Sequence, residues 1–502
     1  MPELSSSHML IRNTLYNLLG LGLPLLVAIG SMPVLIHSLG DARFGVLTLI
    51  WAVVSYFGLF DLGLGRALTQ QLSVLIAEKR EHDIPPLVFT SLLLLTGLGV
   101  SAGVLMWWGA AWGAQRISYS GDINEIVGSV RVMAVAMPFI VFTSGLRGIL
   151  EAKLAFGIIN LIRLPMGIFT FIGPLVVVLS YKNDLVAVTV VLTVGRVVAC
   201  MVHAYYAARS LPGMFSNRRY RPELIKTLMV SGGWMTVSNI VSPLMGYLDR
   251  FLIGATISAA AVAYYVTPNE MLTKLWIIPG ALTAVLFPRF ASDLIENSRD
   301  SALLFRKAVT ILFLVIFPIT LFTAVYAKEI LQLWINPEFA EKSYLLMQVF
   351  SFGMLINCLA HVPFTLIQSV GKARVTALIH TAELPLFAIT LWLCATHLGL
   401  VGAVLAWLAR MLIDTIIMFV QARKIVDLRK IVSQPSRLVI LFGIVTLSFF
   451  ISCIPSVLLR AGLFVASNII VFAYCWRFFV GENERIFVIK KVFTAARFRG
   501  TK

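Results

Sequence analysis

Apolar residues run along this chain in blocks too long and too uniform for strands or ordinary surface helices. Leu87 to Trp112, LVFTSLLLLTGLGVSAGVLMWWGAAW, holds 26 residues without a charge, and a bilayer's hydrocarbon core takes about 20 such residues as a helix. Similar runs, bounded by charges, Gly/Pro or polar clusters, predict spans near 15–38, 44–64, 86–112, 127–149, 159–180, 185–207, 227–253, 259–287, 308–326, 344–370, 377–396, 399–421, 438–455 and 460–480. That makes about fourteen transmembrane helices. A transmembrane barrel would instead alternate over segments of about ten residues, a pattern the sequence lacks. The expected fold is an all-α polytopic membrane protein.

Composition agrees with the pattern. Of 502 residues, 59% are hydrophobic and 13% charged, with mean hydropathy +0.90, against roughly 45–50% apolar residues in soluble proteins. The five cysteines, Cys200, Cys358, Cys394, Cys453 and Cys475, lie in apolar segments without CxxC spacing, which argues against a disulfide framework or a metal site. The net charge of +17 raises nucleic acid as a partner, but its placement excludes that. About 30 of the 41 bases fall on even-numbered connections and the two tails, the asymmetry of the positive-inside rule. Both termini are therefore expected in the cytoplasm. Residues 1–14 are polar and short, so no cleaved leader is expected, and the brief outer loops leave no room for an extracytoplasmic domain.

An internal repeat organises the spans. VGRVVACMVHAYYAAR at 194–209 aligns without gaps to LARMLIDTIIMFVQAR at 408–423, setting Arg196 opposite Arg410, and RLPMGIF around Pro165 resembles ELPLFAI around Pro385. Each half would hold six spans. Six is even, so the halves run in the same direction, related by a pseudo-twofold axis along the membrane normal. The expected domains are a six-helix lobe at 1–222, a second at 223–430, and two further helices with a basic tail at 431–502.

Charges inside spans mark candidate chemistry, since each costs at least about 2.5–3.5 kcal/mol at the bilayer centre. Arg196 and Arg410 each lie about 16 Å into their spans at 1.5 Å per residue. Two arginines at matched depth would make a cationic cavity for a phosphate or other anion; the alternative is that Arg410 pairs with Asp414 one turn on and serves packing. Glu270 and Lys274 stand i, i+4 beside Pro268 in the favourable order for a helical pair. They either neutralise each other or carry a coupling proton or substrate. His380 and Glu383 could relay protons, and Asp61 and Arg66 read as an interfacial pair. Asp249 and Arg250, adjacent and so about 100° apart on a helix, cannot form one simple ion pair; their depth suits an outer gate. No GxxxxGK[ST] phosphate loop, HExxH or GxSxG motif is present, so the sequence offers no catalytic machinery, cofactor site or metal site.

Residues 227–292 carry a GGW opening, a DRFLIG segment, an AYY turn and a VLFPR exit. This order resembles the lipid-linked oligosaccharide flippases of bacterial surface polysaccharide synthesis, the Wzx-type members of the MOP exporter superfamily. The N-terminal NLLGLGLPLLVAIGSMPVLIHSLGDARFGVLTLIWAVVSYFGLFDLGLGRALTQQLS and LIQSVGKARVTALIHTAELPL are similar to the same family, so the resemblance covers most of the first 430 residues. It implies two six-helix lobes with alternating access, and an undecaprenyl diphosphate-linked oligosaccharide carried across the bacterial cytoplasmic membrane. Cationic cavity residues would meet the diphosphate, with Arg196, Arg410 and Lys274 matching by position. Coupling or gating would fall to Glu270, Asp414, Glu383, Asp249 and Arg250. The implied partners are the lipid-linked glycan, membrane lipids and polysaccharide polymerase machinery, with proton or sodium coupling open.

Two related exporters are weighed against this. A MATE-type extruder would carry a carboxylate within the first lobe, yet spans one, three, five and six lack Asp and Glu. A lipid II flippase of the MurJ kind would carry Arg in its first spans, whereas 15–39 holds only His37 near its outer end. A polymerase or ligase enzyme needs a sizeable outer loop, which the short loops disfavour.

Overall fold

The computed structural model describes residues 23, 24, 26–57, 61, 63–180, 184–214, 216, 219–225, 244–296, 298–426, 435–481 and 485. Its helices are α1 (Leu26–Leu39), α2 (Asp41–Phe57), α3 (Leu64–Ala77), α4 (Ile84–Ala114), α5 (Ile123–Ala152), α6 (Phe156–Ser180) and α7 (Leu185–Ser210). They continue with α8 (244–256), α9 (Ala259–Thr273), α10 (Ile277–Glu296), α11 (Ser298–Val325), α12 (Ala327–Trp334), α13 (Pro337–Ser369), α14 (Ala373–Ala422), α15 (Pro435–Phe449) and α16 (Val457–Phe478). Among the described residues ten helical segments are long and apolar enough to cross a membrane. The fold is an all-helical, multi-pass membrane protein. Parts of the expected first and seventh spans, and the basic tail, lie outside the described residues.

Contacts divide the chain into two units: one within Met1–Val266 with Leu391–Leu400, the other within Thr267–Thr390 and Val401–Lys502. The sequence repeat divides near 222, so α8 and the first half of α9 pack with the unit that precedes them in the chain.

In the first unit, glycines bring helix backbones together. A Cβ at Gly99 would lie 2.7 Å from Pro138 Cα, and one at Gly103 2.7 Å from the Ala134 carbonyl, so α4 and α5 meet along a shared seam. Leu68, Leu92, Leu95, Val141 and Ile149 fill the core beside it. The interfacial reading of Asp61 changes here: its carboxylate accepts from the backbone N–H of Gly63 (3.0 Å) and Gly65 (3.2 Å), satisfying donors that a new helix end leaves open. Asp61 thus starts α3, while Arg66 is exposed and forms no ion pair among the described residues.

The 50-residue α14, which lies in the second unit except for Leu391–Leu400, is interrupted at Gly399 by φ 59° and ψ −142°, a backbone conformation that a side chain would strain. Phe387 and Arg410 meet across it, as do His380 and Asp414. Each pair is centred near residue 398, so the chain folds back at Gly399 and its two arms run side by side. This is the turn expected between the spans 377–396 and 399–421.

Candidate functional site

Helix α7 begins where Asp184 accepts from Val186 N–H at 2.9 Å, an N-cap in the sense that its carboxylate satisfies a free helical donor. Val190, Val194, Val198, Met201 and Tyr205 form its exposed stripe, all apolar or amphipathic and suited to lipid. At about 100° per residue, Arg196 points about 160° away from that stripe, towards the side that buries Leu192, Ala199 and His203. Next to it, a Cβ at Gly195 would come within 2.3 Å of the Phe169 ring, so α6 and α7 are in close contact at this level. Arg196 is half-buried and makes no hydrogen bond, ion pair or ring contact among the described residues. An inward arginine without a partner is costly in a membrane, and its five N–H donors are open to an anion.

In the second unit the two arms of α14 assemble an ionisable cluster. His380 and Glu383, one turn apart, face Asp414 from the return arm; a ligating atom from each lies within 4.8 Å of the others. His380 Nε2 stands 3.4 Å from Asp414 Oδ1 and its ring stacks on Phe364 at 6.0 Å. The guanidinium of Arg410 lies over Phe387 at 5.1 Å, and the charges of Asp414, His380 and Arg410 all bear on Glu383. Glu383 is 6% exposed, and neither carboxylate oxygen has a hydrogen-bond partner among the described residues. A bare buried carboxylate is unstable unless it takes a proton or a cation, so this arrangement can bind and release a small positive charge.

Glu270 and Lys274 form the i, i+4 ion pair that their order suggests, at 2.8 Å. Lys274 opens a 3₁₀ turn, Lys274–Trp276, between α9 and α10. Trp276 then donates to Asn357 Oδ1 at 2.8 Å, with its ring 6.3 Å from His361. His361, half-buried on α13, is a polar residue the sequence reading missed; a lone histidine in an apolar run carries no spacing signal.

Asp249 and Arg250 belong to a different construction in the first unit. Asp249 Oδ2 accepts from Tyr265 at 3.0 Å, and Arg250 lies over the Tyr247 ring at 4.9 Å. Around them Tyr264 donates to Asp41, Ser118 N–H donates to Gly254 (3.3 Å), and Ala259 N–H donates to Ser118 (3.0 Å). Glu125 accepts from Arg43 and Tyr119, both at 3.0 Å. Burial, and the Glu125 carboxylate to which it donates, hold the Tyr119 phenol above its ordinary pKa. The α8–α9 turn is thereby fastened to α2 and the α4–α5 turn.

Of the candidate residues, Glu383, Asp414 and Arg410 come together, Glu270 and Lys274 pair with each other, and Asp249 and Arg250 join the fastening; Arg196 stands apart on α7.

Residues 10–293 match the family model described as polysaccharide biosynthesis protein. The chain belongs to this family. Within it, the chain is 31% identical over 410 residues to a proposed O-antigen transporter of Shigella flexneri, covering 82% of this chain and 96% of the relative. The fold matches that of solved MOP superfamily transporters. An inward-facing multidrug resistance MATE transporter superposes with TM-score 0.67 at 16% identity over 83% of this chain and 95% of its own. The lipid II flippase MurJ in its inward closed conformation gives TM-score 0.64 at 11% identity over 93% and 99%. This polysaccharide biosynthesis protein is a membrane transport protein rather than an enzyme.

Proposed function

We propose that this family member flips an undecaprenyl diphosphate-linked oligosaccharide from the inner to the outer leaflet of the bacterial cytoplasmic membrane. Two six-helix lobes, 1–222 and 223–430, would alternate access, with both termini in the cytoplasm. The observation that carries the reading is Arg196, an inward-facing cation at mid-span depth without a partner among the described residues. A diphosphate supplies the missing anion, and its planar, bidentate recognition suits a guanidinium. Arg410, the repeat counterpart, and Lys274 are the further cations we assign to it. Family membership and the Shigella relative support the class of substrate.

Outward movement of two negative charges runs with an inside-negative potential, gaining about 4.6 kcal/mol per 100 mV. Transport thus needs no nucleotide. The cluster of Glu383, Asp414 and His380 supports coupling to a proton or sodium ion, with Glu270 as a secondary candidate and Asp249 with Arg250 as gating residues. The glycan would pass to the polymerase machinery on the outer side.

Deleting the gene and fractionating lipid-linked oligosaccharide tests the function. The intermediate is expected to accumulate in the inner leaflet, with rescue by wild type and none by Arg196→Ala. No accumulation would remove the flippase reading.

A further inference from the structure

The seam between α4 and α5 presents a cation to lipid. Successive rungs pair Gly99 with Pro138, Gly103 with Ala134 and then Trp107 with Arg131, whose guanidinium lies 5.4 Å from the indole centre. Arg131 is exposed and forms no hydrogen bond or ion pair among the described residues. The nearest acid along its helix, Glu125, is already engaged by Arg43, Tyr119 and the Leu185 N–H. Its surroundings are apolar: Val104, Leu105 and Val135 are all exposed, as bilayer contacts are.

Depth decides what the cation can meet. Helix α5 has 30 residues, about 45 Å, so centring it on a hydrocarbon core of about 30 Å leaves about 7 Å beyond each boundary. Arg131 begins about 12 Å from the helix start, roughly 5 Å inside the boundary. Helical side chains lean towards the N-terminus, which for α5 is the near boundary, so the guanidinium reaches headgroup level. Trp108 and Trp112, both exposed, and Arg116 over Trp112 at 4.6 Å, mark that level as an aromatic belt. The indole covers one face of the Arg131 guanidinium and leaves its in-plane N–H donors unused.

We propose that Arg131, steadied by Trp107, binds the phosphate of an anionic glycerophospholipid of the bilayer, held in the α4–α5 seam. A bilayer lipid is favoured over the transported one because the residue lies on the exposed apolar exterior, while Arg196 faces the bundle. The assignment depends neither on the transported substrate nor on which leaflet the seam faces.

The test is native mass spectrometry of the purified full chain in neutral detergent, titrated with phosphatidylglycerol. Wild type is expected to retain one more lipid than Arg131→Gln, with at least about tenfold weaker binding in the variant. Trp107→Leu should show an intermediate loss and Arg66→Gln, an exposed arginine elsewhere, none. Equal phosphatidylglycerol retention by wild type and both Arg131→Gln and Trp107→Leu would overturn the proposal. So would displacement of the Arg131-dependent lipid by substoichiometric undecaprenyl diphosphate, which would make the seam a lane for the transported lipid. Thermal unfolding of each variant identifies any that misfold, and Arg131→Lys, which keeps the charge but loses the fork, then serves in its place with a partial loss expected.

Discussion

Tyr265 on α9 donates its hydroxyl to Asp249 Oδ2 on α8 at 3.0 Å, and both residues are buried. The bond spans the turn that Ser118 grips through two backbone hydrogen bonds, so the phenol braces α8 against α9 where that turn is fastened to α2 and the α4–α5 turn. Removing it leaves a buried carboxylate short of a donor, which costs about 1–3 kcal/mol. Tyr265→Phe is therefore expected to lower the unfolding temperature and to speed labelling of a Ser258→Cys probe by a membrane-impermeant maleimide. Unchanged labelling would show that the bond does not hold the α8–α9 turn in place.

Gly45 tests the same fastening from the opposite helix. A Cβ there would stand 1.7 Å from the Ala259 carbonyl oxygen, a backbone atom that cannot swing aside. Gly45→Ala should displace the start of α9 and reduce export sharply. Gly109, in an exposed stretch of α4 with open space around it, is the control: alanine there should be neutral or add up to about 1 kcal/mol through helix propensity. Similar loss of export in both variants would refute the steric argument.

Arg196 predicts a separation of stability from function. Nothing among the described residues pairs with it, so truncation orphans no group, and Arg196→Ala should match or exceed wild type in thermal unfolding while abolishing glycan export. Arg196→Lys keeps the charge without the bidentate fork and should retain a minor fraction of activity. Full export by Arg196→Ala at normal protein level would sink its role as the anion site.

Glu383 should decide coupling. Glu383→Gln removes the charge that takes a proton or cation while keeping the shape, so export by reconstituted protein should lose its dependence on an imposed proton or sodium gradient. The gradient-independent rate should persist. An unchanged gradient response would exclude the cluster from coupling.

Much of the architecture was legible because span length and hydropathy are enforced by the bilayer itself: the expected spans 86–112, 127–149 and 185–207 sit inside α4, α5 and α7. Chemistry was less legible where it depends on chain reversal. His380 and Glu383 share a helix face by spacing alone, but Asp414 joins them only because Gly399 folds α14 back at the midpoint. Tyr265 was hidden inside an apolar run, and its role depends on a partner sixteen residues away around a turn. Asp61 looked like half of an ion pair, yet the two glycines that follow offer backbone N–H groups at closer range than Arg66 offers its side chain. Charge near charge is a weaker guide than a free helix end near a carboxylate.

Arg460 makes the contrasting case to Arg196, since here the arginine is buried and partnered. At the start of α16 it is 7% exposed, donates to the Val325 carbonyl at 2.7 Å, pairs with Glu329 of α12 and lies over Tyr326. Arg460→Ala strands these acceptors and should cost about 3 kcal/mol, read as a large fall in unfolding temperature in detergent. Glu329 is more exposed, so Glu329→Ala should cost less. Its pH behaviour gives a second check. Burial raises its pKa, but the Arg460 hydrogen bonds, a backbone hydrogen bond and the charges of Arg460 and Lys328 together outweigh this and hold the carboxylate below its ordinary 4.5. A depressed carboxylate contributes stability that is complete above the unfolded pKa and is lost as pH falls through the folded one. Wild type should thus lose stability on acidification below about pH 4.5, and Glu329→Gln should flatten that part of the profile. If the variant's acid limb parallels that of wild type, Glu329 and Arg460 do not form the tie that secures α16 to α12.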